Sequence, residues 1–203
     1  VGGLRPPPTI CSAEGFVTDG RPVVLAWTES TTTSSRYRRE LVSTSTTTPP
    51  FPGAHDFVRT SLARLGYDFG PFHLRFVPGP SGPRPIELVP VLSGVAGPSG
   101  IDAVTGSDTA DDAVVRLLGD SPATGVAAAV AASTLLRFSW RTREPGRPPA
   151  ELEQIGGMPG FVAAELAPDR SGQVLTVGTT PEQSARRART AAGILRGDTG
   201  PAG

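Results

Sequence analysis

Short apolar runs set off by turn residues organise the first third of the chain. Thr9 to Val17 and Pro22 to Thr28 are rich in Val, Ile, Phe and Trp and flank Asp19-Gly20. Asp-Gly readily takes the positive φ angles of a tight turn, so the pattern predicts a β-hairpin. Glu29 to Pro52 holds a Ser/Thr/Pro-rich tract broken by Arg36, Arg38, Arg39 and Glu40, and it reads as a long mobile loop. From about Ala54 to Leu65, the spacing of Phe57, Val58, Leu62 and Leu65 predicts a helix that stops at Gly66, with Phe57, Leu62 and Leu65 turned to one core.

Pro71 to Val77 and Arg84 to Pro90 predict a second strand pair, joined by the Pro/Gly loop Pro78 to Pro83. Asp108 to Leu118 reads as a helix with an acidic first turn and Gly119 past its end, which suits the helix dipole. The Ala/Val/Leu-rich stretch Val126 to Trp140 reads as either helix or strand, and its end, Leu135 to Trp140, as strand. Val162 to Leu166 and Gln173 to Val177 predict another antiparallel pair. The last helix runs from Thr180 to about Leu195: Thr180 caps it, Pro181 fits its first position and Gln183 completes a capping box. Strands and helices intermixed with hairpins give an α+β class, an antiparallel sheet with helices packed on one face. The expected organisation is a linker or truncated start at 1–8, a core at 9–125, a smaller unit at 126–196 and a disordered tail at 197–203.

Composition narrows the picture. With 19 acidic and 19 basic residues, no global field favours nucleic acid or an anionic membrane. All 19 basic residues are Arg, and the 203 residues contain neither Lys nor Asn. Lysine is the usual point charge for nucleotide phosphates, and an asparagine carbonyl often joins carboxylates around Mg²⁺, so a phosphate site here must be built from arginine. Cys11 stands alone, which excludes an internal disulfide and reads as a small buried hydrophobe. No run of apolar residues is long enough for a membrane span and no signal pattern opens the chain, so a cytoplasmic location is expected. Val1 stands where Met would begin a chain, and Gly2 to Pro8 has no apolar periodicity. A truncated or mis-started product is the expectation.

The segment GYDFGPFHLRF (Gly66 to Phe76), followed by RPIELVPVLSG (Arg84 to Gly94), resembles the carboxyl-terminal catalytic half of the ATP-grasp superfamily, in particular the carboxylate-amine ligases. EGFVTDGRPVVLAWTES upstream, VTGSDTADDAVVRLLGDSP downstream and SGQVLTVGTTPEQSARRARTAAGI near the end extend the resemblance over about Ile10 to Leu195. It implies an ATP-grasp-like fold and an ATP- and Mg²⁺-dependent ligase that activates a small-molecule carboxylate as an acyl phosphate for attack by an amine.

In that family the metals are held by a Glu on the first strand and by the Glu and Asn of the second. These positions fall on Arg75, Glu87 and Val89, so the resemblance leaves Glu87 as the metal candidate. The family's substrate-binding Arg falls on Val91, a hairpin Lys on Ser30 and an upstream Glu on Ile10. Glu14 and His73 remain as the cofactor-binding candidates, and no residue is assigned as catalytic. A guanidinium at 75 in place of a carboxylate costs on the order of several kcal/mol against Mg²⁺ at an effective dielectric of about 20. Arg75 instead has Glu87 to pair with across the strands. The preceding half, with another phosphate-binding lysine and a glycine-rich lid, is the implied partner, on the same polypeptide or on another chain.

The remaining polar signals have simpler readings. Arg36, Tyr37, Arg38 and Arg39 read as a solvated loop, His55 as a surface or capping residue, Gly97 to Gly100 as a turn, and Glu182, Arg186, Arg187 and Arg189 as the wet face of the last helix. Two functions stand at this point: an impaired ATP-dependent ligase that needs its other half, and a catalytically inactive binding or scaffolding module.

Overall fold

Asp19 and Gly20 both have positive φ, 51° and 70°, and Asp19 is the one described non-glycine residue that does. They join β1 (Ile10–Thr18) to β2 (Arg21–Ser35) in the expected hairpin. The structure, a computed structural model, describes residues 9–35, 38–92, 97–119, 130–139, 150–167 and 171–197, without the side chains of 34–39 and 97–99.

The Ser/Thr-rich tract is the main departure from the sequence reading. It is not a loop: β2 continues to Ser35 and pairs with β3 (Arg38–Thr46). Hydroxyls bridge the strands, Thr28 to Ser45 at 2.8 Å and Ser30 to Ser43 at 3.0 Å. Facing Thr and Ser side chains satisfy one another across a ladder, so a polar tract becomes a buried central strand. The Arg36 to Arg39 side chains lie outside the described residues.

Helix α1 (Ala54–Arg64) buries Ala54, Val58 and Leu62. Phe57 is half-buried among Phe51 and Phe76, while Leu65 is 60% exposed, because as the C-cap it has rotated off the core stripe. β4 (Gly70–Val77) and β5 (Arg84–Val89) pair as expected. Gly97 to Gly100, expected as a turn, begins α2 (Gly97–Thr105), whose Ile101 and Val104 bury against Ala26; that apolar i, i+3 pair outweighs the local Gly and Pro. The α3 helix (Thr109–Leu117) is capped by Asp108, which accepts from the amides of Ala110 and Asp111. β6 (Ala132–Ser139) settles the ambiguous stretch as strand over its described part; 126–129 and Trp140 lie outside the described residues.

A short helix the sequence did not announce, α4 (Ala150–Gly156), precedes β7 (Phe161–Leu166) and β8 (Ser171–Gly178). Last comes α5 (Pro181–Arg196), where Thr180 Oγ1 accepts from Gln183 N and Gly197 closes the end at φ 73°. Gln183 Oε1 reaches back to Thr179 N at 2.8 Å, one residue beyond the expected capping box.

The eight strands form one antiparallel sheet in the order β5-β4-β1-β2-β3-β6-β8-β7. One face carries the apolar cores: α1 over Cys11, Ala13, Trp27, Leu74 and Phe76, then α4 and α5 over Leu136, Phe138 and Val174. The opposite face, partly covered by α2, is polar along its centre. Glu14, Ser12, Thr28, Ser43, Ser45 and Ser133 are all buried there. Among the described residues no helix is long and apolar enough to cross a membrane.

Candidate functional site

Two irregularities aim side chains onto the polar face. The β1–β2 register shifts at Glu14/Gly15, and the β4–β5 register shifts at Arg75/Phe76. Gly15 is required at the first: a Cβ there would lie 2.0 Å from the Val23 carbonyl oxygen. β-bulges of this kind re-aim neighbouring residues. The ladder places Glu14 opposite His73, His73 opposite Val89, Ser12 opposite Arg75 and Arg75 opposite Glu87. Both sequence-named candidates on β1 and β4, and the metal candidate on β5, therefore stand side by side on one face.

Glu14 is fully buried, and His73 is 4% exposed. His73 Nδ1 lies 3.3 Å from Glu14 Oε1. The contact lacks hydrogen-bond alignment: Glu14 Oε1 and Oε2 and His73 Nδ1 are three of four buried side-chain polar atoms without a hydrogen-bond partner among the described residues. Burying such groups unpaired is costly, so these two residues stand out from the rest of the interior. The sequence named both residues but could not pair them, because only the β1–β4 register brings them together.

Farther along the same strands, Arg75 Nη1 donates to Glu87 Oε2 at 2.8 Å, with the two side chains 35% and 47% exposed. The ion pair open to Arg75 in the sequence is formed. Among the described residues no group of three or more His, Cys, Asp or Glu side chains is arranged to hold a metal ion. With Glu87 paired to a guanidinium and Val89 opposite His73, these two positions as arranged among the described residues do not fit a Mg²⁺ site. Ser30, at the position of the resembling family's Lys, is spent on Ser43, and Val91 is an exposed apolar side chain.

Other sequence readings resolve plainly. Cys11 is buried, and burial first, then the nearby Glu29 charge, pushes its thiol up to about 11. His55 sits at the surface with its ring edge on Trp27, 5.2 Å between centroids. Arg187 is not simply solvated, since its Nη1 donates to the Val177 carbonyl at 2.7 Å. A partly buried ion pair between Glu40 of β3 and Arg196 of α5 was not read from the sequence, and no local pattern announces a contact 156 residues apart.

No family model and no curated protein sequence matches the chain. Solved structures do. An L-amino acid ligase from Bacillus licheniformis superposes with a TM-score of 0.68 at 14% identity, over 91% of this chain and 52% of that one. The fold is that of the ATP-grasp ligases. Glycinamide-RNase-transformylase T from Mycobacterium tuberculosis gives 0.64 at 14% identity, over 95% of this chain and 57% of the other. An N5-carboxyaminoimidazole synthase from Aspergillus clavatus, solved in complex with ADP, gives 0.61 at 13% identity, over 92% and 51%. The chain thus spans about half the length of these ATP-grasp structures.

Proposed function

We propose that this chain is an ATP-grasp unit of the carboxylate-amine ligase type that does not by itself carry out ATP-dependent ligation. The Arg75–Glu87 pair carries the reading: the carboxylate best placed for a divalent cation is neutralised by a neighbouring cation. ATP remains the candidate ligand of the polar face, with Glu14 and His73 beside it. The small-molecule carboxylate and amine are the candidate substrates once the other half of the fold is supplied, on the same polypeptide or by a partner chain. Fold alone does not confer chemistry, which depends on the groups at the site.

Calorimetric titration of the folded chain with Mg-ATP, run beside Glu87→Ala, tests this. The expected result is no saturating heat in either protein, with saturable binding appearing only when the complementary half is added. Heat that saturates at sub-millimolar nucleotide with the chain alone and disappears in Glu87→Ala would show a working phosphate site and overturn the proposal.

A second reading, a non-catalytic binding or scaffolding module, is favoured by the same pair, since Arg75 and Val89 replace ligands while their strands stay paired. It expects Glu87→Ala to leave partner binding unchanged. Loss of partner binding on that single change would sink it.

A further inference from the structure

We infer that Arg75 is the resident cation of the β4–β5 face, and that one charge reversal, Arg75→Glu, converts this face from cation-independent to divalent-cation binding. The inference rests on the proposed ATP-grasp reading only for treating this face as the site.

Three observations carry it. Arg75 and Glu87 are direct cross-strand partners, and the guanidinium already reaches the carboxylate at 2.8 Å. An arginine is charged at every accessible pH, so the neutralisation of Glu87 is permanent and needs no metal. Both side chains are partly open to solvent, at 35% and 47%. That exposure matters because Mg²⁺ and Mn²⁺ bind through one or two carboxylates while keeping several of their own waters, which a sealed site could not admit.

Replacing Arg75 by Glu sets two carboxylates at facing positions, whose Cβ atoms are about 4.5–5.5 Å apart in an antiparallel pair. Like charges directly opposite repel, and a divalent cation between them relieves the repulsion. His73, two residues along β4, shares this face. It is buried against Glu14, whereas residues 75 and 87 are partly open to solvent, so the new site is made by those two alone.

The test is uptake of Mn²⁺ alone, without nucleotide, followed by loss of the free-ion paramagnetic resonance signal. Wild type is expected to show no saturable uptake. Arg75→Glu is expected to take one ion per chain with a midpoint in the range of weak oxygen-donor sites, about 0.1–1 mM. Arg75→Glu with Glu87→Gln should lose it again. Saturable uptake by wild type that Glu87→Gln abolishes overturns the inference, as does a folded Arg75→Glu chain that takes up no ion. Should Arg75→Glu fail to fold by circular dichroism, Arg75→Gln replaces it: Mn²⁺ is expected to raise its melting temperature but not that of wild type, and no difference between the two overturns the inference. Because nucleotide is absent throughout, failure here leaves the Mg-ATP result to judge the proposed function separately.

Discussion

His73 Nδ1 and Glu14 Oε1 stand 3.3 Å apart in the interior of the sheet's polar face, and neither forms a hydrogen bond with described residues. A buried carboxyl beside an imidazole is costly to leave alone, so each residue depends on the other's presence.

Removing the imidazole leaves the buried Glu14 carboxyl without its nearest polar neighbour. His73→Ala is expected to lower unfolding free energy by about 3–5 kcal/mol, whereas Glu14→Leu combined with His73→Phe should be neutral or stabilising by about 1–4 kcal/mol. Urea denaturation of the single and paired variants checks the contrast. A harmless His73→Ala would show that buried Glu14 does not depend on His73.

The exposed Arg75–Glu87 pair behaves differently. A double-mutant cycle to Ala should give a coupling of only about 0.2–1 kcal/mol, shrinking as salt rises, because solvent screens a half-open ion pair. Swapping the charges, Arg75→Glu with Glu87→Arg, should restore the melting temperature that Arg75→Glu alone lowers.

Gly15 is the tightest backbone position beside the site. With its Cβ 2.0 Å from Val23 O, Gly15→Ala must push β1 and β2 apart. The expected destabilisation is about 1–3 kcal/mol, with faster amide exchange around Glu14. A variant as stable as wild type, with unchanged exchange, would count against the bulge as the device that seats Glu14.

Cys11 gives the pH dependence. Its thiol is raised from 9.0 to about 11 in the folded chain, so the unfolded chain releases this proton first. Stability is therefore lost as pH rises through the interval between those values. Denaturant midpoints measured across that interval should fall in wild type and fall less in Cys11→Val. Iodoacetamide should label Cys11 slowly in the native protein and quickly once it unfolds.

Local chemistry was legible in the sequence, because each signal is complete within a few residues. Asp19-Gly20 specifies its own backbone, Thr180-Pro181 its own helix start, and the apolar runs at 71–77 and 84–90 their own strands. The Arg75–Glu87 pair was accessible for a related reason, since a short loop joins the two strands and leaves few registers open.

What depended on distant partners was decided only by tertiary structure. The Ser/Thr tract is strand because its hydroxyls pair with one another and with Thr28 and Thr134 across the sheet, and composition cannot say whether such partners exist. Ile101 and Val104 turn a Gly/Pro segment into helix by burying against Ala26. Glu14 and His73 meet only because β1 pairs with β4, which places them opposite each other. The sequence alone determined the turns, the caps and the absence of lysine and asparagine. The burial of Glu14 against His73 belongs to the assembled sheet, since burial requires neighbours that the chain supplies from far along its length.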